Sequence, residues 1–266
     1  MILSNNTIKL YEYILGKLDK KDLTNTQDIS QYLETLSLSN KKSTLAAIMY
    51  HLKQQNSDQT IIDFYGKLAR DVRIEDTILR IKRDITVEED KNYISWDEVI
   101  SMRDLFKNYK TKREHMKYIL LCLYTYIPPQ RGQCFYNCYI DKDVDGSNKI
   151  DTNYKQLILR EYKTKRLYGE KTIDLPDELI SILLIWKPNS STGLLLFNNK
   201  NEMMTTSVFT SFLYSIFNRH ISTDMLRKIY ISNNISNKDI CERKKIASDM
   251  GHSVLVQEFY YNKNFK

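Results

Sequence analysis

The chain has 266 residues, of which 42% are hydrophobic and 27% are charged, so it has the composition of a folded globular protein rather than a disordered one. Forty basic side chains against 33 acidic ones give a net charge of +7, which favours a polyanionic partner without establishing one. Its seven glycines form neither a GxGxxG fingerprint nor a GxxxxGK loop, which excludes Rossmann and P-loop nucleotide sites. The longest apolar run, 118–127, is too short to span a bilayer.

Residues 1–88 predict a helical domain. No proline occurs before position 128, and apolar residues recur at helical spacing up to Leu18 and again within 27–37, 43–55 and 59–83. The acidic run DITVEEDKNYI, at 84–94, interrupts this periodicity, so we predict two domains, 1–88 and 89–266. The first domain carries a net charge of +1 and the second +6. The first could contact DNA or could be a plain helical bundle.

The second domain predicts helices around a small sheet. A capping-box pattern at Ser95 begins a helix over 96–109, and a second helix over 112–127 stops at two consecutive prolines. Residues 135–140, 154–162 and 172–175 favour β-strands, and the chain after them is helical again. We therefore predict a mainly α protein with a small antiparallel β-sheet, in the α+β class.

Five residues stand out in chain order as candidates for chemistry. The four cysteines lack a paired CxxC spacing, so they predict reduced thiols in an intracellular protein, with no metal site. The four histidines are far apart in sequence, and neither HExxH nor GxSxG occurs. What does occur is an ordered set of cations followed by a tyrosine: Arg131 in IPPQRGQ, Lys163 in REYKTKR, Arg227 in DMLRKIY, His252 in DMGHSV and Tyr261 in VQEFYYNK.

This set suits cleavage of a phosphodiester without a metal or nucleotide cofactor. Arg131 and Arg227 could hold the non-bridging oxygens, because a guanidinium pairs with them bidentately and stays charged. Lys163 could protonate the leaving 5′-oxygen, and His252 could support an oxygen or a proton transfer. The Tyr261 phenol could then attack phosphorus and form a covalent phosphotyrosine.

The pattern resembles the tyrosine recombinases of the phage-integrase type. The shared features are an arginine after the first catalytic helix, a hairpin lysine followed by Thr, an LR pair, a GH pair, and a tyrosine nine residues after that histidine. The PPxR and LRKIYIS stretches resemble the recombinases of large eukaryotic DNA viruses and their satellite elements. The resemblance implies a helical core-binding domain at 1–88, double-stranded DNA as partner, a homotetramer on DNA, and action in the host nucleus or cytoplasm if the protein is viral.

Two positions, and the number of residues after the tyrosine, depart from the family pattern. Asp224 stands where the family usually has His or Lys, three residues before the second arginine. Cys134 stands where an acidic residue is common, and only five residues follow Tyr261. A carboxylate near a phosphate would be repelled, so Asp224 either turns away, holds Arg227, or impairs catalysis.

Several alternatives stay open at this point. Lys165 is a rival to Lys163, and Tyr260 is a rival to Tyr261. His220 could replace the missing histidine if the loop before Asp224 folds back. A type IB topoisomerase has a similar active site, although the small viral enzymes carry a β-rich N-terminal domain. The third possibility is a DNA-binding protein with a decayed recombinase site.

Overall fold

A computed structural model of the protein describes residue 3, residues 5–18 and residues 21–265. The chain divides into two compact units, Met1–Lys82 and Arg83–Lys266. The acidic run expected to separate the domains contains a short helix, α5 (Val87–Asn92). Thr86 and Glu89 form a reciprocal capping box there, which satisfies the first backbone N–H groups of the helix. The predicted division after position 88 therefore falls within α5.

The first unit is a four-helix bundle, as its periodicity predicted. Its core consists of aliphatic side chains from all four helices around the fully buried Tyr65. Tyr65 donates its hydroxyl to the Leu23 carbonyl at 2.8 Å, so its polar end is satisfied inside the bundle. The helices are α1 (Asn5–Leu18), α2 (Thr26–Glu34), α3 (Leu38–Gln54) and α4 (Gln59–Ile81).

The second unit surrounds a sheet with helices. The predicted capping box at Ser95 is present and begins α6. Among the described residues, no helix is long and apolar enough to cross a bilayer. The longer helices are α6 (Trp96–Phe106), α7 (Lys112–Tyr126), α10 (Asp177–Trp186), α11 (Thr206–Phe217), α12 (Thr223–Asn234) and α13 (Ile240–Asp249). Short helices in this unit include α5, α8 (Gly132–Tyr136) and α9 (Lys165–Tyr168).

The sheet has four strands and is mixed rather than antiparallel. Its order is β1 (Cys138–Ile140), β2 (Asn148–Asp151), β3 (Gln156–Leu159) and β4 (Lys171–Asp174), and β1 pairs with β2 in parallel while the other pairs are antiparallel. A parallel pair is possible here because β1 has only three residues, and the seven residues 141–147 reach back past it. Alternation along a strand does not report its direction, so the sequence could not reveal this pairing.

The start of the first predicted strand is helical instead. Phe135 lies in α8 and packs edge-on against Tyr124 of α7, with ring centroids 5.3 Å apart. Gly132 begins this helix against the ring of Phe209, where an added Cβ would lie 2.5 Å from a ring carbon. That packing fixes α8, and with it Arg131, the residue that precedes the helix.

The C-terminal segment ends in an unusual helical turn. A single α-turn at Val254–Val256 continues into a π-helix, Gln257–Tyr261, in which the Asn262 N–H donates to the Gln257 carbonyl at 2.9 Å. Such turns shift side-chain directions relative to an α-helix and are frequent at functional sites. This turn places Tyr260 and Tyr261 against α12.

Candidate active site

Arg227 lies at the centre of a buried cluster of cations. It occupies the middle of α12 and is 1% exposed. Its Nη2 donates to the Met250 carbonyl at 2.9 Å, and its Nη1 donates to the Pro129 carbonyl at 3.4 Å. These bonds join α12 to the segments that carry Arg131 and His252. The Nε of Arg227 is buried with no hydrogen-bond partner in the described part of the chain.

His252 is a neutral ring with its proton on Nε2. Arg227 Nη2 lies 2.9 Å from His252 Nδ1, and because a guanidinium only donates, Nδ1 must be the accepting nitrogen. Burial first, and the surrounding cations second, lower the pKa of His252 to about 3, so the ring is uncharged at neutral pH. Its Nε2 is buried without a partner among the residues described, which leaves one donor available for an incoming acceptor.

Tyr261 covers this pair. Its side chain is 3% exposed, and its ring lies 4.7 Å from the Arg227 guanidinium carbon and 4.8 Å, centroid to centroid, from the His252 ring. The rest of its surface packs on apolar side chains of α12 and α13. Tyr261 is therefore held beside Arg227 and His252, whose Nε and Nε2 donors have no partner among the residues described.

Gly251 lets two further cations approach. Its φ of +67° is in the left-handed region, and an added Cβ would lie 3.7 Å from Arg131 Nη1 and 3.6 Å from Lys171 Nζ. The same Cβ would lie 3.0 Å from Thr164 Oγ1, which donates to the Gly251 carbonyl at 3.2 Å. A side chain here would be both strained and crowded. Arg131, Lys171 and the Arg227–His252 pair thus converge on the turn at Gly251.

Comparisons with known proteins give structural matches only. No protein-family model and no curated protein sequence matches the chain. The solved structure of XerA recombinase is 15% identical, with a TM-score of 0.50 over 98% of this chain and 88% of that one. The Tn1549 transposon integrase bound to transposon right-end DNA is also 15% identical, with a TM-score of 0.53 over 99% and 91%. A lambda integrase dimer bound to a COC′ core site is 11% identical, with a TM-score of 0.52 over 100% and 75%.

The chain has the tyrosine-recombinase fold. At these identities the match establishes the fold alone, and the roles of individual residues rest on the geometry. In this tyrosine-recombinase fold, four of the five residues singled out in the sequence lie together: Arg131, Arg227, His252 and Tyr261.

The hairpin lysine is the exception. Lys163 is exposed and makes no hydrogen bond or ion pair within the described residues, and Lys165 pairs with Glu161. Lys171, which opens β4, instead donates to the Ser248 carbonyl at 3.1 Å and to the Asp249 carbonyl. Burial lowers the pKa of Lys171 to about 8. In the sequence, the position of Lys171 at the start of a strand, in KTID, is the one feature that could have identified it as a candidate.

Asp224 pairs with groups outside the cluster of Arg131, Lys171, Arg227 and His252. Its Oδ2 accepts the Tyr260 hydroxyl at 3.1 Å and lies 3.3 Å from Lys228 Nζ, and no hydrogen bond or ion pair joins it to Arg227 in the part of the chain described. Cys134 is buried in α8, and burial raises the pKa of its thiol, so it stays protonated. The ring of His220 stacks obliquely on Tyr214, and its backbone N–H bonds to Asn92.

Among the described residues, no cluster of three His, Cys, Asp or Glu side chains has the arrangement of a metal site. What the cluster around Arg227 offers is hydrogen-bond donors, most of them charged, which is the chemistry that recognises a phosphate.

Proposed function

We propose that the protein is a site-specific DNA recombinase that cleaves and rejoins strands through a 3′-phosphotyrosine. The observation that carries this proposal is the buried pair of Arg227 and His252, whose Nε and Nε2 atoms have no partner in the described residues. Leaving buried donors unsatisfied is costly, so the site favours a ligand that supplies acceptors. A phosphodiester has only acceptors to offer and carries the matching charge.

The cleavage step follows from the chemistry of these side chains. Arg131 and Arg227 hold the non-bridging oxygens, and His252 donates its Nε2 hydrogen to one of them. The Tyr261 oxygen bonds to phosphorus as the bond to the 5′-oxygen breaks. The phenol proton is released to solvent, and the 5′-oxygen takes a proton from a lysine. Rejoining is the reverse reaction, so no nucleotide is consumed.

Lys171 is our choice for the proton donor, with Lys163 as the alternative. A general acid works best when its pKa lies near the operating pH, and a pKa of about 8 meets that condition. The fixed contacts of Lys171 with the carbonyls before Gly251 hold its ammonium group beside the other cations. Lys163 would have to move inward from the exposed loop.

The partner we propose is double-stranded DNA, with a homotetramer as the assembly. One of the similar solved structures is a lambda integrase tetramer bound to a Holliday junction. Exchange between two duplex sites involves four strands, so a tetramer would supply one nucleophile for each strand. The helical first unit separates this protein from the small viral topoisomerases of the type IB class. The contacts of Asp224 with Tyr260 and Lys228 argue against a decayed site, because they engage the carboxylate outside the cluster of Arg131, Arg227 and His252.

Covalent trapping tests the proposal. The protein is incubated with a pool of randomised duplexes carrying a nick next to the cleavage position, so that the released fragment diffuses away and the adduct cannot rejoin. We expect wild-type protein to form an adduct that survives denaturing electrophoresis, Tyr261→Phe to form none, and the exposed-tyrosine control Tyr154→Phe to match wild type. If no duplex in the pool forms an adduct, the proposal is overturned. If the monomer relaxes plasmid supercoils, a topoisomerase is favoured instead.

A further inference from the structure

The two adjacent tyrosines pair with two adjacent cations of α12. Tyr261 lies over Arg227, and Tyr260 lies over Lys228 with Nζ 4.6 Å from its ring centroid. The two tyrosine rings are perpendicular, 4.9 Å apart. The π-turn and α12 therefore meet in a fixed register, in which moving one tyrosine moves the other.

Tyr260 is anchored through its hydroxyl to a carboxylate. Its hydroxyl donates to Asp224 Oδ2 at 3.1 Å, and Lys228 Nζ lies 3.3 Å from the same oxygen. Lys228 is itself held by Glu89 of α5, with 2.5 Å between Nζ and Oε1, and is 9% exposed. This arrangement fixes the position of the Tyr260 ring, because its hydroxyl and its face both have partners.

The contact with Asp224 also gives the Tyr260 phenol different chemical surroundings from those of the Tyr261 phenol. Burial first, and the Asp224 carboxylate second, raise the pKa of Tyr260, so its phenolate is disfavoured. The Tyr260 hydroxyl points to a carboxylate, which repels a phosphate, whereas the Tyr261 ring lies beside Arg227 and His252, which carry the donors for a phosphate. Asp224, which departs from the family pattern, thus distinguishes Tyr260 from Tyr261 in this chain.

We propose that Asp224 and Lys228 form a clamp on Tyr260 that holds Tyr261 over Arg227 for attack. The clamp makes Asp224 and Tyr260 positioning residues, and it rests on the proposed function. A small displacement of a reacting group can slow a reaction by about 100-fold, so the clamp acts on the rate of cleavage rather than on DNA affinity.

Single-turnover cleavage of the nicked duplexes, at saturating protein, tests the clamp. We expect Asp224→Ala and Tyr260→Phe each to slow adduct formation by about 10- to 100-fold while the dissociation constant for DNA is unchanged. The double variant should be no slower than the slower single one, because both remove the same hydrogen bond. Asp224→Asn should recover most of the rate, because its amide oxygen still accepts from Tyr260.

Asp177→Ala is the matched control. Asp177 is also in the first turn of a helix and pairs with a lysine, Lys155, at 2.7 Å, but it lies outside the cluster, so its loss should leave the rate unchanged. If wild type forms the adduct and both Asp224→Ala and Tyr260→Phe form it at the wild-type rate, the clamp is overturned while the proposed function stands. If wild type forms no adduct, the proposed function itself fails.

Discussion

For a single side chain such as His252, the protonation state decides what the ring can do. Arg227 occupies Nδ1 as a donor, and a pKa of about 3 keeps the ring neutral throughout the physiological range. In the proposed reaction, His252 would therefore act as a hydrogen-bond donor to an oxygen that gains negative charge, which is a stabilising role. A proton transfer from a charged imidazole, the other role considered from the sequence, would need a far higher pKa.

Changing the leaving group tests whether Lys171 or Lys163 protonates the 5′-oxygen. We expect Lys171→Ala to slow cleavage by about 10²- to 10⁴-fold on ordinary DNA, the usual effect of losing a general acid. A duplex with sulfur in place of the 5′-oxygen should restore the rate, because a thiolate leaves without a proton. The measurement is the single-turnover rate on both duplexes, with Lys163→Ala as the matched variant. Rescue of Lys163→Ala and not of Lys171→Ala would assign the proton to Lys163.

The pH dependence of cleavage gives an independent check on this lysine. A general acid must be protonated to act, so the rate should be maximal below a pKa of about 8 and should fall as the pH rises through it. A lysine with an ordinary pKa would keep the rate constant to about pH 10. A flat profile up to that pH would contradict the assignment of Lys171.

Order and spacing in the sequence were sufficient to select four of the clustered residues. Each of these four lies next to a recognisable local pattern, and the spacing from His252 to Tyr261 is set within one continuous segment. The lysine of the cluster was harder to predict from the sequence. A hairpin brings Lys171 to the site across the sheet, and the number of residues between Arg131 and Lys171 does not indicate this proximity. The Tyr260 contact with Asp224 also depends on the π-turn, which has no sequence signal.

Among the elements, β2 shows why the sheet was only partly predicted. Its sequence NKID is short and polar, so no strand was expected there. Asn148 in this strand is buried, and its side chain bridges two parts of the fold. Its Nδ2 donates to the carbonyls of Cys134 and Glu161 at 3.3 and 3.0 Å, and its Oδ1 accepts from the Arg160 and Glu161 N–H groups at 2.9 and 2.8 Å. The helices of the first unit, with α6 and α7 of the second, were predicted to within about five residues because their periodicity is local. In contrast, α5 lies where a break between helices was expected, and α8 includes the start of a predicted strand.

Asn148→Asp tests this bridge. The carboxylate cannot donate, so two carbonyls lose their partner and face a buried negative charge. We expect the free energy of unfolding to fall by about 3 kcal/mol or more, as measured by chemical denaturation. The exposed control Asn153→Asp should change it by less than about 0.5 kcal/mol. Equal stability of the two variants would show that Asn148 does not join α8 to the hairpin.

On the scale of the whole molecule, charge is distributed unequally. Residues 89–266 carry a net charge of +6 and residues 1–88 carry +1, so the proposed attraction for DNA would come mainly from the part that contains the cation cluster. If six cations each neutralise one phosphate, the logarithm of the DNA association constant should fall against the logarithm of salt concentration with a slope of about −5. Fluorescence anisotropy between 50 and 200 mM salt measures it, and a slope near zero would contradict binding to the phosphate backbone.

The measurement that tests the central claim most directly is the identification of the residue joined to DNA. Trypsin releases residues 246–263 as one peptide, which contains both Tyr260 and Tyr261. After nuclease trimming of the trapped adduct, tandem mass spectrometry of this peptide locates the nucleotide mass. We expect it on Tyr261 alone; a nucleotide mass on Tyr260 or on any other peptide would contradict the assignment of the nucleophile.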